Sequence, residues 1–116
     1  MIRKSKEIKT DVYEKRFGGE GTVTMRQLLN GPEEMYKKGR LFAHGILEVG
    51  SSLGYHVHEN ESETFYILRG TAEYDDNGTK VTVHPGDVTF TAAGEGHGLK
   101  NIGQEPLEYI ALILYK

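Results

Sequence analysis

Gly50-Ser51-Ser52-Leu53-Gly54-Tyr55-His56-Val57-His58-Glu59-Asn60-Glu61-Ser62-Glu63 sets two histidines two positions apart, with carboxylates directly behind them. On an extended strand, side chains two apart project from one face, about 6.5–7 Å apart along the backbone. That spacing lets two imidazoles lean toward one point and hold a single ion. Glu63 can add a hard oxygen donor, and His97 stands further along the chain. Only five histidines occur in 116 residues, so His56-Val57-His58 beside a carboxylate points to a metal site. Glu59 and Glu61 compete with Glu63 for the carboxylate position.

Outward from this stretch the chain reads as mostly β. Short segments rich in Val, Ile, Thr, Tyr and Phe recur between Gly, Asp, Asn and Pro punctuation. Strands are expected over residues 22–29, 41–49, 55–58, 63–68, 71–74, 79–84, 88–91 and 107–115, with a loop at 93–96. Asn77-Gly78 is a strong two-residue hairpin signal between two of them. Asn30-Gly31-Pro32 opens a short helix that Lys37, Lys38 and the stop at Gly39 should end. Eight or more short strands with frequent turns favour a sandwich or barrel.

Composition narrows the function classes. Apolar residues are 37% and charged residues 27%, as in a globular domain, and the length suits one domain over 1–116. A net charge of -3 gives no basic footprint for nucleic acid. Arg3, Lys4, Lys6 and Lys9 cluster at the N-terminus, but Glu7 and Asp11 interrupt them, which reads as a solvated tail. Cysteine is absent, which excludes disulfides and thiolate ligation. No apolar run approaches membrane-spanning length, so no membrane partner and a cytoplasmic location are expected.

Read with its flanks, the first segment is Gly50-(five residues)-His56-Val57-His58-(four)-Glu63-(six)-Gly70. A later one is Gly86-(five)-Ala92-Ala93-Gly94-(two)-His97-(three)-Asn101. This pair resembles the two signature motifs of the cupin superfamily, departing only at Ala92, where the family has proline. The resemblance implies an all-β jelly-roll barrel (a double-stranded β-helix), its core over about 41–115, with a short N-terminal helix. It implies that His56, His58, Glu63 and His97 bind one divalent ion. Gly50, Gly70, Gly86 and Gly94 match turn positions, and Asn101 would support a turn or the backbone. Losing the proline at residue 92 costs only about 0.4–1 kcal/mol. Glu63 has the family spacing and starts the alternation Glu63-Phe65-Ile67, as an inward carboxylate should; Glu61 is left at the mouth. His44 reads as a hydrogen-bonded sheet histidine and His84 as an exposed turn residue.

Strand parity suggests the pocket wall. Phe65 and Ile67 follow Glu63 inward, and Tyr109, Ala111 and Ile113 share the face that the resemblance turns toward the pocket. Tyr109 is the candidate catalytic group, as proton donor or substrate hydrogen bond, or else an aromatic core filler. The rest of the wall offers no second carboxylate or lysine for proton transfer. Arg40 and Arg69 read as isolated surface ion-pair residues, which disfavours sugar-phosphate chemistry. Three imidazoles and a carboxylate suit Mn, Fe, Co, Ni, Cu or Zn. Two readings stand: a metal-dependent oxygenase or lyase acting on a small organic substrate, and a non-catalytic binder or barrel braced by its ion. A homodimer is expected, with residues 20–39 in its interface and the 22–29 strand pairing with the second subunit.

Overall fold

The computed structural model describes residues 1–116. Ten strands follow in order: β1 Thr10–Glu14, β2 Thr22–Leu29, β3 Gly39–Leu47, β4 Ser52–Val57, β5 Glu61–Arg69, β6 Ala72–Asp76, β7 Thr79–Val83, β8 Val88–Thr91, β9 Gly96–Asn101 and β10 Leu107–Tyr115. The one α-helix, α1, is Gly31–Glu34. The strands form two sheets, ordered β1-β2-β3-β10-β5-β8 and β4-β9-β6-β7. Every neighbouring pair is antiparallel. This is the all-β architecture expected of a cupin jelly roll. No helix is long and apolar enough to cross a membrane.

The core lies where the sheets' apolar faces meet. On β10, Leu107, Tyr109, Ala111 and Ile113 are buried, while Glu108, Ile110 and Leu112 alternate to the other face. Ala43 and Leu47 of β3, Phe65 and Ile67 of β5, and Tyr74 and Leu99 of the smaller sheet join that core. Asn101 ties the sheets together. Its side-chain amide donates to the Leu47 carbonyl at 3.0 Å and the Glu105 carbonyl at 2.9 Å, and its oxygen accepts from the Gly103 N–H at 2.9 Å.

Several expectations need correction. The helix stops after one turn because Tyr36 and Lys37 take left-handed backbone angles (φ 53° and 57°), ending it before Lys38. β9 falls partly within the expected loop and was not foreseen. Its sequence Gly-His-Gly-Leu-Lys-Asn has poor strand propensity, and pairing with both β4 and β6 holds it extended. The N-terminus is not a free solvated tail. Arg3 pairs with Glu34 at 2.8 Å and donates to the Leu28 carbonyl at 2.8 Å, and β1 pairs along β2. β2 therefore has both edges occupied, by β1 and β3 of its own chain, and cannot pair with a second subunit as expected.

Candidate metal centre

Two local irregularities aim the site. Between the partners Leu53↔Leu99 and His56↔His97, β4 runs three residues against two on β9. This bulge lets Leu53 and His56 both face inward despite their odd spacing. His58 lies just past β4, anchored by its N–H on the Glu95 carbonyl at 3.0 Å and by the Gly94 N–H on its own carbonyl at 2.7 Å. Glu63 comes from β5 in the larger sheet, and His97 from β9 in the smaller.

The side chains of these four residues converge. Nε2 of His97 lies 3.0 Å from Nε2 of His58 and 3.2 Å from Nε2 of His56. Glu63 Oε1 lies 3.0 Å from Nε2 of both His58 and His97. All four donors stand within 4.8 Å of one another. His56 Nδ1 donates to the Gly54 carbonyl at 2.7 Å, and His58 Nδ1 donates to Glu61 Oε2 at 2.7 Å. With those protons on Nδ1, the neutral rings turn bare Nε2 lone pairs toward the centre. Such a cluster is satisfied by a cation among the donors, not by hydrogen bonds within it. Two ligands about 2.1 Å from one ion stand about 3.0 Å apart at right angles and about 3.4 Å apart at the tetrahedral angle. The four separations of 3.0–3.2 Å fit pairs of ligands on one ion, and lie nearer the right-angled spacing.

Burial and charge divide the group. Burial pushes His56 down to about 4, against a partly offsetting hydrogen bond to Gly54. His58 is raised, chiefly by Glu63, with Glu61 adding to it. Burial would raise Glu63, but the His58 and His97 imidazoles beside it outweigh that and hold its carboxyl low. Nδ1 of His97 lies 2.8 Å from the Tyr74 hydroxyl and 2.9 Å from Thr91 Oγ1, which fixes that ring.

A family model described as cupin domain matches residues 43–113. The chain belongs to the cupin family. An oxalate-binding protein of Thermotoga maritima is 44% identical over 114 residues, covering 98% of this chain and 93% of that one. A crystal structure described as a predicted oxalate decarboxylase of Thermotoga maritima shares 43% identity and a TM-score of 0.94, covering 100% of both chains. The cupin domain of Schizosaccharomyces pombe Cnp3 is 18% identical, with a TM-score of 0.70 over 91% of this chain and 69% of that one, a likeness of fold alone.

The cupin's other candidate residues fall into distinct places. Glu61 is buried but points away from the donor cluster, between His58 and Arg40, whose guanidinium grips it at 2.8 and 2.7 Å. Arg40 holds the Glu61 carboxyl below the usual range. Arg40 is thus the exposed ion-pair residue expected, and its partner is the carboxylate that stands behind His58. In the β3–β10 register Leu41 faces Ile113 and Gly39 faces Leu114, so Arg40 is the extra residue of a bulge. The bulge breaks the alternation, which is why parity could not find this contact. Arg69 also forms surface ion pairs, with Glu105 and Glu108. His44 bonds Glu108 at 2.8 Å within the sheet, and His84 and Glu59 are exposed.

A cavity of about 200 Å³ opens above the donor cluster. Phe65, Tyr109 and Ile113 line it with His56, His58 and Glu63. Ile67 and Ala111 share their parity but lie wholly buried in the core, off that wall. Tyr109 packs against Gly45, where a Cβ would strike its ring, and its hydroxyl reaches only Met25 Sδ at 3.7 Å. Burial raises its pKa, so it holds its proton. Parity on the 71–74 strand could have located Tyr74, which shares the inward face of Ala72. No sequence signal marked the turn after β1, where the Phe17 ring stacks on His56 at 3.8 Å between centroids.

Proposed function

We propose that this cupin binds one divalent transition-metal ion through His56, His58, Glu63 and His97, and takes a small carboxylate such as oxalate in the cavity above it. The observation that carries the reading is the convergence of four donors from both sheets beneath a cavity of about 200 Å³. The relative described as oxalate-binding supports the ligand class. A divalent ion there would act as a Lewis acid on a bound carboxylate. The chain's own residues orient the donors, bury them and exclude bulk water. Lyase-type turnover is the enzymatic form of this reading, and it is preferred here to oxygenase chemistry because the solved relative is described as a predicted decarboxylase.

Capture without turnover is the second reading, favoured by the state of the wall's polar groups. Glu61 is committed to Arg40 and His58, and the Tyr109 hydroxyl has only a sulfur neighbour. Neither is placed to move a proton to a ligand. Elemental analysis after native purification, oxalate calorimetry, and assays for carbon dioxide release and oxygen uptake separate these readings. Metal-free protein that cannot be reloaded sinks both. His97→Ala should abolish metal binding; tight oxalate binding without carbon dioxide release would establish the binder.

Pairing into a homodimer is supported by the outer face of the larger sheet rather than by the β2 edge. Tyr66 and Leu68 of β5 and Val88 and Phe90 of β8 are exposed there, an apolar patch that a second copy would cover. Light scattering at micromolar concentration should read twice the chain mass, and a monomer would refute the pairing.

A further inference from the structure

Four of the five arginines are engaged by acceptors. Arg3 holds Glu34, Arg26 holds Ser5, Arg40 holds Glu61 and Arg69 holds Glu105. Arg16 differs. Its guanidinium carbon lies 4.0 Å from the Tyr13 ring centroid and 4.6 Å from that of Phe17, with no carboxylate or carbonyl accepting from it. Aromatic faces hold a guanidinium in place while leaving its planar fork of N–H donors free. Arg16 lines the same cavity as His56, His58 and Glu63.

The turn that carries Arg16 is clamped. Lys15 and Phe17 take left-handed angles (φ 49° and 55°), which non-glycine residues adopt only where their surroundings impose it. The imposing contacts are visible. Phe17 stacks on His56 with 18° between ring planes, and the Phe17 carbonyl sits where a Cβ on Gly54 would be. A Cβ on Gly19 would likewise strike the Ser52 carbonyl. The turn is therefore packed onto β4, the strand that bears His56, and it sets an unpartnered cation at the cavity's rim.

We propose that Arg16 selects the ligand of the metal cavity, its guanidinium binding the outward carboxylate oxygens of a small dicarboxylate. This rests on the reading that the cavity takes a carboxylate at a bound ion. Charge supports the class. Arg40 is already neutralised by Glu61, so Arg16 and an ion offset only by Glu63 leave the cavity net positive. Size is compatible with it, since a cavity of about 200 Å³ accommodates an organic acid of a few carbons.

The test compares wild type with Arg16→Ala and Arg16→Lys, each loaded with metal and checked by elemental analysis. Calorimetry then measures oxalate, malonate and succinate, with acetate as the monoanion. Arg16→Ala should weaken the dicarboxylates by roughly 10- to 100-fold. Metal content and melting temperature should stay unchanged, and acetate should weaken far less. Arg16→Lys should fall between, because a point charge lacks the fork. Dicarboxylate affinity within about twofold of wild type in Arg16→Ala overturns the assignment, as does an equal loss for acetate. Metal-loaded wild type that binds none of these anions overturns it too, and leaves the metal site standing. Anion binding that depends on Arg16 in a protein unable to load metal supports the arginine and refutes the metal reading.

Discussion

Glu61 stands between Arg40 and His58, accepting from both at 2.7 Å, and so orients an imidazole without joining the donor cluster. A carboxylate behind a ligating histidine fixes its tautomer and raises its basicity. Glu61→Gln should therefore weaken metal affinity by about 10- to 100-fold, read by competition with a chelating dye. The pH response has a definite sign. His56 sits at about 4 and is neutral under ordinary conditions, whereas His58 is raised above its usual value by Glu63 and then Glu61. Metal uptake must displace the proton His58 would otherwise keep, so affinity falls as pH drops through that raised pKa. Glu61→Gln removes one raising interaction and should move the fall-off to lower pH, even as affinity at high pH declines. Titrations from about pH 5 to 8 check this, and an unmoved fall-off would contradict it.

At the level of elements, bulges and turns decide where side chains point. Gly54 lies in the β4 bulge with its Cα against the Phe17 carbonyl, so Gly54→Ala must push the turn off the strand. A loss of about 1–3 kcal/mol is expected by urea denaturation, with weakened metal binding as His56 loses its stacking partner. Asn101→Ala removes three hydrogen bonds and leaves the Leu47 and Glu105 carbonyls short of a donor. It should cost about 1–3 kcal/mol by the same measurement, with no direct effect on the donor cluster. These elements also mark how far sequence could reach. β2, β8 and β10 were legible to the residue because their alternation and turn punctuation are strong. β1 and β9 were not, since charged flanks and glycines mask strands that exist through their neighbours. The partner of Arg40, Glu61, escaped because a bulge cancels the period of two on which parity depends.

Across the whole molecule, the donors join the two sheets: His56 and His97 come from the smaller, Glu63 from the larger. An ion bound there binds the folded state and cross-links its layers. Metal in hundredfold excess over its Kd should add about 2.7 kcal/mol, and chelation should remove it, seen as a lower melting temperature. A melting temperature indifferent to chelator would contradict that linkage. The sequence alone determined the all-β fold, through periodicity and turn chemistry, and singled out His56, His58, Glu63 and His97 by residue type and spacing. Those signals are local or repeat at fixed intervals, so they can be read without coordinates. Only the tertiary structure decided that Glu61 braces His58 rather than joining the cluster, that Tyr74 and Thr91 stand behind His97, and that the Arg16–Phe17 turn roofs the cavity. Those contacts run across turns and between strands, and no periodicity along the chain encodes them.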